Sequence, residues 1–239
     1  MKPLVFLHGW GQSKQIWHEQ YQSFADASYL NLPGHGGAAD SQAWLETLIA
    51  QLPGQPCILV GWSLGGQLAM QLAAQYPNRI HALVLVDTTP CFRIQKDWQH
   101  GCADTIFRGF EQGIQDHATK TMSRFFALML HGDAIERAEL NRIAKASINR
   151  LTPTSTQALQ QGLELLANLD LRPILEHIAQ PTWVVHGQCD AIIPYAAGAY
   201  LAEHIPHATL HRFESCGHAP FLTQTQPFNQ LLESWCQTI

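Results

Sequence analysis

The chain has 239 residues, of which 46% are hydrophobic and only 14% charged, and a net charge of −5. That length accommodates one large α/β domain with a substantial buried core. The weakly acidic balance argues against a nucleic-acid-binding protein, and no apolar run reaches the ~18 residues of a membrane span.

The chain opens on an apolar run, Leu4–Leu7, that leads into His8-Gly9-Trp10-Gly11. The run is too short for a secretory signal and reads as a buried strand. A second short strand, Tyr29–Leu32, precedes Pro33-Gly34-His35-Gly36. Trp44, Leu45, Leu48, Ile49 and Leu52 share one face of a helix over Ala43–Leu52. Cys57–Val60 is aliphatic without polar alternation, as expected for a parallel strand covered on both faces. A small-residue helix follows over Leu64–Tyr76. Leu83–Val86 and Trp183–His186 are further buried strands, Thr209–Phe213 is a more polar one, and Phe228–Cys236 is a terminal helix. Strand–helix alternation predicts an α/β fold with a mostly parallel, doubly wound sheet of about six strands.

Between Phe92 and Asp170 the rhythm changes. Helical patterns cover His117–Leu130, Ile135–Ile148 and Ser155–Asn168, with Thr152-Pro153-Thr154 as a break, and no strand is evident. The expected division is a core over residues 1–91 and 171–239 and a helical lid over 92–170. Such a lid covers the carboxyl ends of the strands; a helical subdomain with only a packing role is the alternative. Residues 92–150 hold nine of the 14 basic residues against seven acidic ones. A basic lid on an acidic body suits a negatively charged partner, and a solvated helix surface suits the pattern equally.

Gly61-Trp62-Ser63-Leu64-Gly65 joins the Cys57–Val60 strand to the helix at Leu64. A serine between glycines at a strand-to-helix junction is the pattern of a nucleophile elbow, in which a strained turn lifts the hydroxyl clear of the sheet. The helix N-terminus then faces the negative charge that develops in acyl transfer. A serine hydroxyl needs a base, and the base needs an orienting carboxylate. Asp190, just after the Trp183–His186 strand, and His218, after the last strand, open onto the same sheet edge in the required order. Asp87 also ends a strand and is the rival acid; His8, His35 and His186 also lie near strand ends, where His8 is better suited to bracing its loop and His186 to a structural part. The oxyanion donors are expected to be the N–H groups of Leu64 and Trp10, and Trp10 and Trp62 are candidates to wall the acyl pocket.

On these residues the chain resembles the α/β-hydrolase superfamily over essentially its whole length. The matching strings are His8-Gly9-Trp10-Gly11, Leu32-Pro33-Gly34-His35-Gly36, Gly61 to Gly66, Gly187 to Asp190, and Gly217-His218-Ala219-Pro220-Phe221. Thr89-Pro90-Cys91-Phe92, Arg124-Phe125-Phe126-Ala127-Leu128, Gly162-Leu163-Glu164-Leu165-Leu166 and Asp170-Leu171-Arg172 are similar to one branch, the pimeloyl-[acyl-carrier protein] methyl ester esterases of biotin synthesis. The resemblance implies a serine carboxylesterase with Ser63, Asp190 and His218 as triad. It implies Phe125, Phe126, Ala127, Leu128 and Met129 as part of the acyl wall. It also implies an acidic carrier protein docked on Lys120, Arg124, Arg137 and Arg142, with Lys120 standing where the branch has arginine. Two departures are Asn31, where an aspartate often precedes Leu-Pro-Gly, and the absence of the antiparallel strand that usually precedes the His-Gly strand, which predicts a shortened sheet edge. A broad short-chain carboxylesterase, a lactonase or a C–C hydrolase would share the triad, and a non-catalytic ligand-binding member of the fold could keep it.

Six cysteines without paired spacing read as reduced thiols in a cytoplasmic protein. Thirteen scattered histidines form no metal motif, and the expected chemistry uses no metal or organic cofactor. The chain is expected to act as a monomer, with neither nucleic acid nor membrane as partner.

Overall fold

The computed structural model describes residues 2–150 and 154–238. Six strands form one sheet in the order β2-β1-β3-β4-β5-β6, and every neighbouring pair is parallel. They are β1 (Leu4–Leu7), β2 (Ser28–Leu30), β3 (Cys57–Trp62), β4 (Ile80–Val86), β5 (Thr182–Gly187) and β6 (Ala208–Phe213). All six residues of β3 are buried, which is why its sequence lacks polar alternation. β6 alternates because it is an edge strand, and β2 forms the other edge. β4 begins at Ile80, earlier than the aliphatic run suggests, because the half-buried His81 interrupts that run within the strand.

The strand order runs outward from β1 in both directions. The carboxyl ends of β1 and β3 therefore flank a topological switch point, where α/β sheets leave a crevice. α1 (Trp44–Gln51), α2 (Leu64–Gln75), α6 (Tyr195–His204), α7 (Pro220–Thr223) and α8 (Thr225–Thr238) flank the sheet. α6 was not among the predicted helices, because Ala196, Ala197 and Gly198 dilute its pattern. Gly198 is required there, since a Cβ would collide with the His186 ring. An aromatic cluster closes the core under the switch point. Trp17 packs on Phe6 at 5.0 Å and on Phe221 at 4.2 Å, and Phe221 packs on Trp62 at 5.0 Å. Burying each such ring contributes on the order of 2–3 kcal/mol.

Between β4 and β5 lie α3 (Asp104–Met129), α4 (Arg137–Arg150) and α5 (Thr156–Asn168). The sequence pattern starts the first of these at His117, and the structure starts it at Asp104. His117 leaves helical geometry (φ −151°, ψ 64°), so α3 is two helical runs meeting at a kink. Gly109 and Gly113 weaken the first run's propensity and hid it. Gly113 lets the runs close together, because a Cβ there would stand 2.5 Å from Thr121 Oγ1. Ser155 caps α5, its hydroxyl accepting the Ala158 N–H at 3.0 Å. Of the predicted break before it, Thr152 and Pro153 lie outside the described residues. The two ends of the insertion meet: Cys91 bridges antiparallel to Asp170, and Leu171 N–H donates to Pro90 O at 2.8 Å. Among the described residues, no helix is long and apolar enough to cross a membrane.

Candidate active site

Ser63 sits at the turn between β3 and α2 with φ 54° and ψ −120°, a conformation that L residues rarely adopt. The surrounding glycines make the turn possible. A Cβ on Gly61 would stand 2.5 Å from Gly65 O, and one on Gly65 would stand 2.6 Å from the carbonyl oxygens of both Leu7 and His8. Four hydrogen bonds hold the elbow. Ser63 N–H donates to Val86 O at 3.0 Å, while Ser63 O accepts from Gly66 N, Gln67 N and the Thr88 hydroxyl, the last at 2.7 Å.

His218 and Asp190 meet in full burial, with Nδ1 donating to Asp190 Oδ2 at 2.7 Å. That bond leaves Nε2 as the acceptor, and Nε2 has no hydrogen-bond partner among the described residues. The indole of Trp62, the residue before the serine, donates to His218 O at 2.8 Å and ties the His218 loop to the elbow. Asp190 Oδ1 accepts the N–H groups of Ile192 at 2.8 Å and Ile193 at 3.0 Å. Burial opposes its charge, but the His218 and His186 rings outweigh it and hold the carboxyl below the usual carboxylate range. Asp87, the rival acid, bonds instead to Gly187 N at 2.8 Å.

The β1 loop is braced by two neutral histidines. His8 Nδ1 donates to Gly9 O at 2.8 Å, and its Nε2 accepts Leu32 N–H at 3.0 Å. His35 Nδ1 donates to Pro33 O at 2.8 Å, and its Nε2 accepts Gly11 N–H at 3.2 Å. Burial pushes the His35 ring down to about 4 and His8 well below the ordinary histidine range. The braced loop brings Gly9 against Ser63, where a Cβ would lie 3.1 Å from the serine Cβ. Trp10 follows it. Its indole donates to Leu159 O on α5 at 2.8 Å and meets Phe125 edge-on at 5.0 Å and Phe110 at 6.2 Å. A Cβ on Gly162 would stand 2.5 Å from the Trp10 ring and 3.6 Å from Leu64 Cδ2, so α5 rests directly on both predicted oxyanion residues.

A model of the alpha/beta hydrolase fold family matches residues 2–225. The chain belongs to the α/β-hydrolase fold family. It is 37% identical to the pimeloyl-[acyl-carrier protein] methyl ester esterase of Aromatoleum aromaticum, over 96% of each chain. The proteins of the same name from Nitrosomonas europaea and Aeromonas salmonicida are 37% and 36% identical, over 94% and 96% of this chain and 92% and 93% of theirs. Among solved structures, an esterase from Exiguobacterium antarcticum superposes with a TM-score of 0.87 at 20% identity, covering 99% of this chain and 92% of that one. A bromoperoxidase from Bacillus anthracis superposes at 0.85 and 22% identity with the same coverage; at these identities both speak for the fold alone.

Within this α/β-hydrolase, Phe125, Phe126 and Met129 are buried, Leu128 is half-buried and Ala127 is exposed. Trp62 points into the aromatic core beside His218. Lys120, Arg124, Arg137 and Arg142 are all exposed on α3 and α4, and Arg142 is held by Glu139 through two bonds of 2.8 and 2.6 Å. Asn31 has a structural reason to replace aspartate. Its amide donates to Gly36 O at 3.0 Å while its oxygen accepts Lys14 N–H at 2.7 Å, and a carboxylate could not donate.

Sequence reasoning missed Phe110, Met122 and Leu159, which pack on the Trp10–Gly11 loop from α3 and α5. It also missed the turn after α3. His218 N–H donates to Met129 O at 2.9 Å, Ala134 N–H donates to Ser215 O at 2.9 Å, and Asp133 accepts the Thr223 hydroxyl at 2.6 Å. Nothing in the local sequence announces these long-range partners. Two surface clefts, of about 400 and 250 Å³, lie along α5 and are lined by none of Ser63, Asp190 or His218. Among the described residues, Asp87, His186 and Asp190 are the only three that bring metal-ligand atom types together as a group. His186 Nε2 already donates to Ile193 O at 2.9 Å, so the nitrogen facing the carboxylates carries a proton rather than a free lone pair.

Proposed function

We propose that this chain is a serine carboxylesterase that hydrolyses the methyl ester of pimeloyl-[acyl-carrier protein] and so frees the ω-carboxylate for biotin synthesis. The observation that carries the chemistry is the buried His218–Asp190 pair at 2.7 Å, tied through Trp62 to a serine at φ 54°. The substrate follows from relatives of that name that match nearly the whole chain.

In this reading Ser63 Oγ attacks the ester carbonyl carbon as its proton passes to His218 Nε2. The N–H groups of Leu64 and Trp10 hold the oxyanion; Leu64 opens α2, where backbone N–H groups lack helical acceptors. The carbon–oxygen bond to the methoxy group breaks, and methanol leaves with the proton from Nε2. Water then gives a proton to Nε2 as its oxygen bonds to the acyl carbon; the bond from that carbon to Ser63 Oγ breaks, Oγ takes the proton back from Nε2, and the acid leaves. Asp190 stays ionised and orients the imidazolium throughout. Trp10, Phe110 and Phe125 offer an apolar wall for the methylene chain, with Phe126 and Met129 behind it. Residues 92–170 act as the lid, and its exposed Lys120, Arg124, Arg137 and Arg142 meet an acidic carrier protein. The six free thiols suit a reducing, cytoplasmic setting, and the scheme calls for no cofactor.

The test is release of free acid from purified pimeloyl-carrier-protein methyl ester. Wild type turns it over, and Ser63→Ala loses about 10⁴-fold or more in kcat. Turnover of small esters with none of the carrier-bound ester would replace this reading with a broad carboxylesterase. Undiminished turnover by Ser63→Ala would remove the mechanism.

A further inference from the structure

Beside the acid loop lies a second carboxylate–imidazole pair that the mechanism above does not use. Asp87 ends β4 and His186 lies near the end of β5, and both side chains are fully buried. Asp87 has φ 41°, a left-handed conformation unusual outside glycine, and its N–H donates to Val185 O at 2.9 Å. The two side chains bracket the segment that carries Asp190. Asp87 Oδ1 accepts Gly187 N–H at 2.8 Å where the loop begins. His186 Nε2 donates to Ile193 O at 2.9 Å where the loop ends. The same Nε2 lies 3.5 Å from Asp190 Oδ2, the oxygen that holds His218, and 3.9 Å from Asp87 Oδ1.

Anchoring a backbone N–H and a carbonyl does not require ionisable groups, and burying them is unfavourable unless their charge is used or paired. Here His186 faces the Asp190 oxygen that holds His218, and Asp87, His186 and Asp190 each bring a polar atom within 4.8 Å of the others. Their remaining polar atoms, Asp87 Oδ2 and His186 Nδ1, have no hydrogen-bond partner among the described residues. We propose that Asp87 and His186 are positioning residues that fix the 187–193 loop and add their charge to the field that Asp190 presents to His218. The inference rests on the triad reading above.

The groups facing Asp87 are His186 on β5, Asp190 on the following loop, and His218 and Cys216 on the loop after β6. Burial pushes the Asp87 carboxyl up to about 7, against the pull of the His186 ring. Burial disfavours the His186 imidazolium, and the Asp190 and Asp87 carboxylates outweigh it to raise that ring above its ordinary range. The negative charge on Asp87 therefore appears as pH rises through neutrality and stabilises the imidazolium that forms at His218 during attack. As pH falls, that help is lost.

Asp87→Asn keeps an acceptor for Gly187 N–H and removes the charge. Its pH profile of kcat/KM for a small p-nitrophenyl ester should show an acid limb moved to lower pH by about half a unit, with plateau kcat lowered about 3- to 10-fold. His186→Gln keeps a donor for Ile193 O but removes a positive charge beside Asp190, so its acid limb should move to higher pH, again with plateau kcat lowered. The double variant should fall no further than the worse single one, because the pair acts as a unit. The low-field proton resonance of the His218–Asp190 bond should shift in Asp87→Asn. An unmoved acid limb and an unmoved resonance, with or without a fall in kcat, would overturn the proposal. Asp190→Asn is the control: if it leaves hydrolysis intact, the triad reading itself fails; if it abolishes hydrolysis and Asp87→Asn changes nothing, only the positioning role fails.

Discussion

The sheet edge and the helical insertion hold the candidate site by different means. At the sheet edge the contacts are backbone against backbone. Gly61 lies on Gly65 O, Gly65 on the carbonyls of Leu7 and His8, and Gly187 on Gly217 O. No atom can be added there without moving a strand or a turn. The insertion meets the same region mainly through side chains: Met122 on Gly11, and Gly162 on the Trp10 ring, with Trp10 bonded to Leu159 O. The geometry around Ser63 is thus set by main chain, and the shape of the apolar surface around Trp10 by side chains that can be exchanged. One segment crosses between the two. The turn after α3 bonds through its own backbone to His218 and Ser215, so the end of that helix belongs mechanically to the loop that carries His218.

The comparison is broken most directly at its glycines. Gly65→Ala should destabilise by about 3 kcal/mol or more, because its Cβ meets two carbonyl oxygens at 2.6 Å. Gly162→Ala gains about 1 kcal/mol of helix propensity while pushing on a side chain, so it should unfold near the wild-type midpoint with kcat/KM lowered several-fold. Urea unfolding and ester kinetics on both variants read the difference. Equal destabilisation would abolish the distinction between the two regions.

The seam between the regions is sharpened by pH. His35 braces the loop on which Met122 and Leu159 pack, and burial holds its folded value at about 4, below the ordinary 6.5. As pH falls below about 6.5 the unfolded chain takes up a proton that the folded chain refuses until about 4. His35 therefore leaves stability intact above that window and removes up to about 3 kcal/mol across it. His8, lowered in the same direction, adds to the slope. In His35→Gln, unfolding free energy plotted between pH 6.5 and 4 should fall less steeply than in wild type; an unchanged slope would contradict the neutral, buried assignment.

On the exposed face of the insertion the effects on stability and on small esters should be the smallest. Lys120→Glu, Arg124→Glu and Arg137→Glu combined should lower kcat/KM for the carrier-bound ester about 10-fold and leave a small ester within about twofold. Arg142→Glu should matter less, because Glu139 already holds that guanidinium. Equal losses on both substrates would make the charge a stability feature rather than a docking surface.

Much of the sheet and the elbow was legible in the sequence, for local reasons. Runs such as Cys57–Val60 lack polar alternation because both faces are buried, and Gly61-Trp62-Ser63-Leu64-Gly65 records a turn whose glycines have no room for side chains. The order of Ser63, Asp190 and His218 follows from loops at the carboxyl ends of parallel strands, which topology alone aligns. The first run of α3 and all of α6 were not legible, because glycine and alanine blur the helical pattern where close packing demands small residues. The sequence favoured Asp190 and kept Asp87 as a rival, since both lie at the end of a strand on the same edge. Tertiary structure decided that His218 reaches Asp190 Oδ2, that Asp87 and His186 bracket its loop, and that α5 rests on Trp10. Periodicity and turn chemistry are written within a few residues, whereas these contacts join positions many tens of residues apart, and only the packed sheet brings their atoms within bonding distance.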